Sequence, residues 1–157
     1  MSRTPADFPP AIRQATMADG PEIWRIRYAV TENTLTPGVI SDEDVRASLE
    51  DTGRGWVSVV DGAITGFAIG LVPDANIWGL FIDPPWQGRG HGGLLHDVMV
   101  DWLFEQGLQQ LWLATSTTSR ARAFYEARGW REVGPDGERQ VRYELTRAQW
   151  HGRVRGD

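Results

Sequence analysis

Cysteine is absent from this 157-residue chain, and so is lysine: all 16 basic residues are arginines. Without cysteine there is no disulfide, no thiolate zinc site and no cysteine nucleophile. Without lysine there is no Schiff base and no phosphate loop of the lysine type. Long apolar runs are also missing, since none approaches the roughly 18 to 20 residues that span a bilayer. The opening MSRTPADFPP lacks the apolar stretch that export requires. We therefore expect a cytoplasmic chain with no membrane partner. The three histidines, His91, His96 and His151, show no metal-ligand spacing, so no metal is expected. A net charge of -5 disfavours nucleic acid, whose binding usually needs a basic face, and suits a cationic substrate.

What is present reads as one globular domain, because 41% hydrophobic and 24% charged residues leave enough apolar surface to bury a core. Residues 1–10, with three prolines, are expected to be a disordered lead-in, residues 11–150 the domain and 151–157 a tail. A short strand at 11–15 precedes helices near 18–32 and from 41, separated by the breaker TPGVI at 36–40. Strands at 55–60 and 63–71 flank Asp61-Gly62, which favours a type I′ hairpin turn, and a third apolar run at 77–82 completes a meander. A helix follows, with Leu94, Leu95, Val98, Met99, Trp102 and Leu103 as its apolar stripe and Asp97, Asp101 and Glu105 facing away. His96 is expected to face solvent or a neighbouring turn. A strand at 108–116, a helix at 118–128 and strands at 130–134 and 139–145 close the order. The fold class is α/β: a mixed, mostly antiparallel sheet flanked by helices, with a parallel right-handed crossover between 77–82 and 109–115.

Between the third run and its helix stands DPPWQGRGHGGLL, residues 83–95, with four glycines ahead of a helix N-terminus. Such a loop brings backbone N–H groups and the positive end of a helix dipole to an anion. Gly88, Gly90 and Gly93 match the dinucleotide-fold glycine pattern. That pattern is not the one we adopt, because Pro84-Pro85 intervenes, the acid expected about 20 residues on is missing, and only about 65 residues follow.

Gln87, Gly90 and Gly92 also satisfy Q/R-x-x-G-x-G/A, the signature of the GNAT superfamily of N-acetyltransferases. TSRARAFYEARGWRE at 118–132 resembles that superfamily's second motif, a helix with a tyrosine followed by glycine and an aromatic. The chain resembles the superfamily over roughly residues 11–146. The resemblance implies splayed central strands and an acetyl-CoA co-substrate whose pyrophosphate is held by Gln87, Gly88, Arg89, Gly90, His91, Gly92 and Gly93. His91 is expected to lend its amide rather than its ring. Backbone groups of Leu80, Phe81 and Ile82 would receive the pantetheine arm, and Thr118 and Phe124 would line the cofactor. Leu80 N–H would polarise the thioester carbonyl and Tyr125 would donate a proton to the departing thiolate. The implied partners are acetyl-CoA and an amine, small or peptidic, and a homodimer is among the expected assemblies.

The chain departs from the superfamily where many members carry a strand glutamate as base, for it has Asn76, Ile77 and Trp78 there. Deprotonating a lysine-like amine at pH 7 costs about 4.6 kcal/mol, an α-amine only about 1.4. A weakly basic amine thus needs little help, and the candidates to give it are Glu32, Asp74 or a water held by Asn76. Trp24 and Trp78 could wall a substrate pocket. Two other readings stay open: a non-catalytic acyl-CoA-binding module, and transfer of a longer acyl group, which Gly79 would permit.

Overall fold

The computed structural model describes residues 9–30, 42–118 and 120–152. Residues 1–8 of the expected lead-in, Glu32, the TPGVI segment and residues 153–157 lie outside the described residues. The strands are β1 (Ala11–Gln14), β2 (Gly53–Val60), β3 (Ala63–Leu71), β4 (Asn76–Ile82), β5 (Gln110–Ser116), β6 (Arg131–Pro135) and β7 (Gln140–Thr146). Helices α1 (Gly20–Ala29) and α2 (Asp42–Glu50) precede β2, α3 (His91–Glu105) joins β4 to β5, α4 (Ala121–Ala127) joins β5 to β6, and α5 (Arg147–Gly152) follows β7.

These strands form one sheet in the order β1-β2-β3-β4-β5-β7-β6, with β4 and β5 parallel and every other pair antiparallel. The expected mixed sheet is therefore what forms. Asp61 and Gly62 both have positive φ, 49° and 80°, which is the type I′ geometry that the dipeptide predicts.

Alternation along the strands sends side chains to two cores. Phe67 and Ile69 of β3 join Ile23 and Ile26 of α1 and Val45 and Leu49 of α2 on one face, while Ala68 points to the other. There α3 packs Leu95, Met99, Val100, Leu103 and Phe104 against the sheet. A Cβ on Gly70 would stand 2.8 Å from Leu103 Cδ1, so that glycine sets how near α3 lies to β3. The buried stripe of α3 is rotated from the expected one: Leu94 and Val98 are exposed, whereas His96 and Val100 are buried. Asp101 does not face away from the structure either, because it accepts the indole N–H of Trp150 at 2.7 Å. Trp150 belongs to α5, a helix too short to announce itself by periodicity.

The feature that shapes the site is a bulge. Register between β3 and β4 runs from Ile69 opposite Gly79 to Gly70 opposite Ile77, which leaves Trp78 as the extra residue. A bulge bends its strand and increases the local twist. Accordingly β4 and β5 are paired only at Asn76 and Trp112, and from Ile77 onward they diverge. The Asn76 side-chain amide donates to the Trp112 carbonyl at 3.1 Å and fastens the closed end of the wedge.

Candidate active site

The open end of the wedge is a cavity of about 590 Å³ between residues 77–81 of β4 and 113–116 of β5. Around the edge of β4 lies a second cleft of about 230 Å³, against the glycine loop, Arg120 and Phe124. Leu80, Phe81, Ala121 and Tyr125 line both, so these four residues stand where the two spaces meet. Tyr125 is 6% exposed, and burial pushes its phenol above the usual 10, so the hydroxyl is neutral throughout the physiological range.

The loop is built for close approach to its own backbone. Gly88 and Gly90 have φ of +77° and +88°, a left-handed conformation that side chains with a Cβ rarely take. Gly90 caps α3, whose first intrahelical bond runs from Leu94 N–H to the Gly90 carbonyl. The N–H groups of His91, Gly92 and Gly93 therefore have no acceptor within the helix. A Cβ on Gly92 would lie 3.6 Å from Ile82 and 3.7 Å from Phe124, directly beside the smaller cleft. Loop and cleft thus fit an anionic group on an extended arm: orphan donors at one end and an unpaired strand edge beside them.

Other predicted residues take more specific positions. The Gln87 side chain donates to the Ile82 carbonyl at 3.0 Å and accepts from Arg120 at 2.6 Å, so it closes the loop and fixes a second cation beside it. Arg89 is exposed and stacks on Trp86, 5.3 Å from the ring centroid. The His91 ring is buried, its Nδ1 within 2.8 Å of Thr65 Oγ1, in a chain that continues to Ser58 at 2.7 Å. Burial lowers the imidazole pKa and keeps it neutral, so the ring serves packing while the amide remains at the helix end. A Cβ on Gly93 would meet Arg128 Nη2, the end of a long side chain that would have to turn aside. Thr118 does not cap the second-motif helix, because α4 begins at Ala121. Its N–H donates to Ser116 Oγ at 3.3 Å instead, and it lines the larger cavity.

His96 is fully buried rather than exposed. Its Nε2 accepts the Trp130 indole N–H at 3.0 Å, which puts the proton on Nδ1, 2.8 Å from the Asp97 carboxylate. The His96 ring also lies 6.2 Å from that of Tyr125 and holds one side of it. Trp24 and Trp78 do wall a pocket: with Ile23, Val45 and Phe67 they enclose a recess of about 40 Å³ that joins the larger cavity at Arg27, Trp78, Gly79 and Phe81.

Neither described base candidate lines the cavity. Asp74 is exposed in the β3–β4 turn, where its carbonyl accepts the Trp112 indole N–H, and the Asn76 amide is engaged by Trp112. Among the described residues that line the cavity none is acidic, but two are arginines, Arg27 and Arg139. A cationic substrate, suggested by net charge, meets no carboxylate among the described lining residues. These arginines and Arg120 were not legible as site residues in a chain whose only basic residue is arginine; only tertiary position separates them from solvated ones.

Known proteins share this fold. The acetyltransferase (GNAT) family profile matches residues 13–130. The curated [ribosomal protein bS18]-alanine N-acetyltransferase of Haemophilus influenzae is 36% identical over 77 residues, 48% of this chain and 53% of that protein. The chain thus matches about half the length of this curated relative. Among solved structures, the ribosomal-protein-S18-alanine N-acetyltransferase of Escherichia coli superposes with a TM-score of 0.72 at 21% identity, covering 87% of this chain and 93% of that one. The PaiA N-acetyltransferase of Thermoplasma acidophilum, solved in complex with coenzyme A, superposes with a TM-score of 0.69 at 17% identity, covering 88% and 99%.

Proposed function

The chain belongs to the acetyltransferase (GNAT) family, and from that premise we propose that it transfers an acetyl group from acetyl-CoA directly to a primary amine. The observation that carries the reading is Tyr125, a neutral buried phenol at the junction of the cleft beside the glycine loop and the cavity between the splayed strands. The donor enters as co-substrate through the smaller cleft. Its pyrophosphate lies on the amides of His91, Gly92 and Gly93 with Arg120 and Arg89 nearby, and its pantetheine arm runs along Leu80, Phe81 and Ile82. The amine approaches from the larger cavity.

The amine nitrogen attacks the thioester carbonyl carbon while Leu80 N–H stabilises the growing oxygen charge. The carbon–sulfur bond then breaks and sulfur leaves as the thiolate, with the Tyr125 hydroxyl donating it a hydrogen bond that strengthens as charge appears, and the nitrogen gives its proton to water. No described carboxylate lines the cavity to act as base, so the acceptor's own pKa sets the fraction that can react. A cytoplasmic setting and a homodimer belong to the same reading, the latter checked by sedimentation.

The test is free-thiol release from acetyl-CoA with a panel of amines. Stoichiometric thiol and acetylated amine are expected, with kcat/KM rising with pH up to the acceptor's pKa. Coenzyme A binding without thiol release on any amine would make the protein a non-catalytic acyl-CoA-binding module. Equal or faster release from propionyl- or butyryl-CoA would redirect the reading to a longer acyl group.

A further inference from the structure

Arg128 stands against the wrong end of a helix for a cation. It caps the C-terminus of α4, and its guanidinium lies across Gly93, the third residue of α3: a Cβ there would come within 3.0 Å of Arg128 Cζ and 3.6 Å of its Nε. Only the missing side chain lets the two helices approach in this way. The first turn of α3 carries N–H groups that no helix carbonyl accepts and is the positive end of the helix dipole. A guanidinium placed there is repelled by it.

Little inside the protein compensates this charge. Among the described residues the carboxylate paired with Arg128 is Asp97, at 3.6 Å, too far for a hydrogen bond, and the oxygen it faces is already 2.8 Å from His96 Nδ1. Arg128 Nε is enclosed and has no hydrogen-bond acceptor. The guanidinium rests on Phe124, 4.9 Å from the ring centroid, and Phe124 in turn lies over Gly92 and lines the smaller cleft. The side chain keeps 30% of its surface exposed, so a ligand can reach it.

Resting on the donor site of the acetyl-transfer reading above, we propose that Arg128 is a phosphate-binding residue, whose ligand is a phosphate group of coenzyme A lying over the first turn of α3. An anion there meets the orphan amides, the helix dipole and a guanidinium from a second element together, and it supplies the counter-charge that Asp97 gives only in part. Two groups of the donor share this chemistry, its pyrophosphate and the phosphate on its ribose. They differ in one respect that can be tested, since dephospho-coenzyme A keeps the first and lacks the second.

The experiment is calorimetric titration of coenzyme A, dephospho-coenzyme A and pantetheine, over a range of salt, into the unsubstituted protein, R128M and R128K. Methionine keeps a long stem on Phe124 without the charge, whereas lysine keeps the charge without the fork. Coenzyme A is expected to bind R128M roughly 10- to 100-fold more weakly and with a shallower salt dependence, R128K to fall in between, and pantetheine, which has no phosphate, to bind all three proteins alike. Dephospho-coenzyme A weakened as much as coenzyme A would assign the pyrophosphate to Arg128; dephospho-coenzyme A binding all three alike would assign the ribose phosphate. Melting scans of the free proteins check folding, and R128K carries the comparison if R128M does not fold. Coenzyme A affinity and salt dependence unchanged by substitution, or pantetheine weakened as much as coenzyme A, would overturn this inference and leave the donor site standing. No binding of coenzyme A by the unsubstituted protein would overturn the acetyl-transfer reading itself, and this inference with it.

Discussion

Tyr125 illustrates how burial sets what a residue can contribute. Desolvation raises the pKa of its phenol, so the hydroxyl is always loaded with its proton but is a weaker acid than a free tyrosine. Full proton transfer to a thiolate with a pKa near 8.5 is then uphill. What remains is a hydrogen bond that strengthens as charge appears on sulfur, worth about 1.5–3 kcal/mol, or roughly 10- to 100-fold. Tyr125→Phe should lower kcat by about that factor with the KM of both substrates little changed, since the ring keeps its contacts with Phe124, Trp130 and His96. Steady-state kinetics decide it: an unchanged kcat would remove Tyr125 from the chemistry. The same shift has a consequence for stability. Because the unfolded tyrosine ionises near pH 10 and the folded one only above that, the contribution is complete below pH 10 and is lost as pH rises beyond it. Melting scans above pH 10 should therefore fall less steeply for the phenylalanine variant.

At the scale of elements, the glycine loop divides its work between conformation and space. Gly90 must be left-handed, so Gly90→Ala should cost about 1–2 kcal/mol, seen as a drop of about 2–8 °C in melting temperature. Gly92 has no such φ, and an added methyl would meet Ile82 and Phe124 at ordinary distances, so Gly92→Ala should melt normally. That methyl would stand beside the cleft, and coenzyme A titration should show binding weakened roughly tenfold, since a methyl denies the close backbone approach that N–H donors need. Undiminished binding by Gly92→Ala would move the pyrophosphate elsewhere. The loop was readable because its constraints are local: glycine spacing, a preceding strand, a following helix. The hairpin at Asp61-Gly62 was readable for the same reason. Periodicity alone left the face of α3 ambiguous, because Leu95, Met99 and Leu103 belong both to the stripe with Leu94 and Val98 and to the one with His96 and Val100. Only the positions of Trp130 and Asp97, which take both ring nitrogens of His96, show why a histidine is buried there. Nor could the sequence reveal that Gln87 reaches Arg120 or that Asn76 is engaged by Trp112, since both bonds depend on neighbours more than 30 residues away.

For the molecule as a whole, the sheet is incomplete by design of its own register. Trp78 adds a residue to β4, β4 leaves β5 after a single pair, and the two cores on either side of the sheet hold the wedge open. An unpaired strand edge inside a domain is a position of low local stability, and a ligand that satisfies it binds the folded state alone. Linkage then requires that such a ligand raise the melting temperature: at a concentration about 100 times Kd it adds about 2.7 kcal/mol, or roughly 5–11 °C for a domain of this size. Hydrogen exchange should locate the gain. Amides of residues 80–82 and 91–93 should slow most on addition of coenzyme A, whereas those of β6, at the far edge of the sheet, should slow less. Because any ligand of the folded state also slows amides that exchange by global unfolding, protection at 80–82 and 91–93 no greater than in the other strands would place the ligand elsewhere. Protection greatest at β4 and the start of α3 would show the donor filling the gap that the bulge at Trp78 creates, with the sheet completed by its substrate.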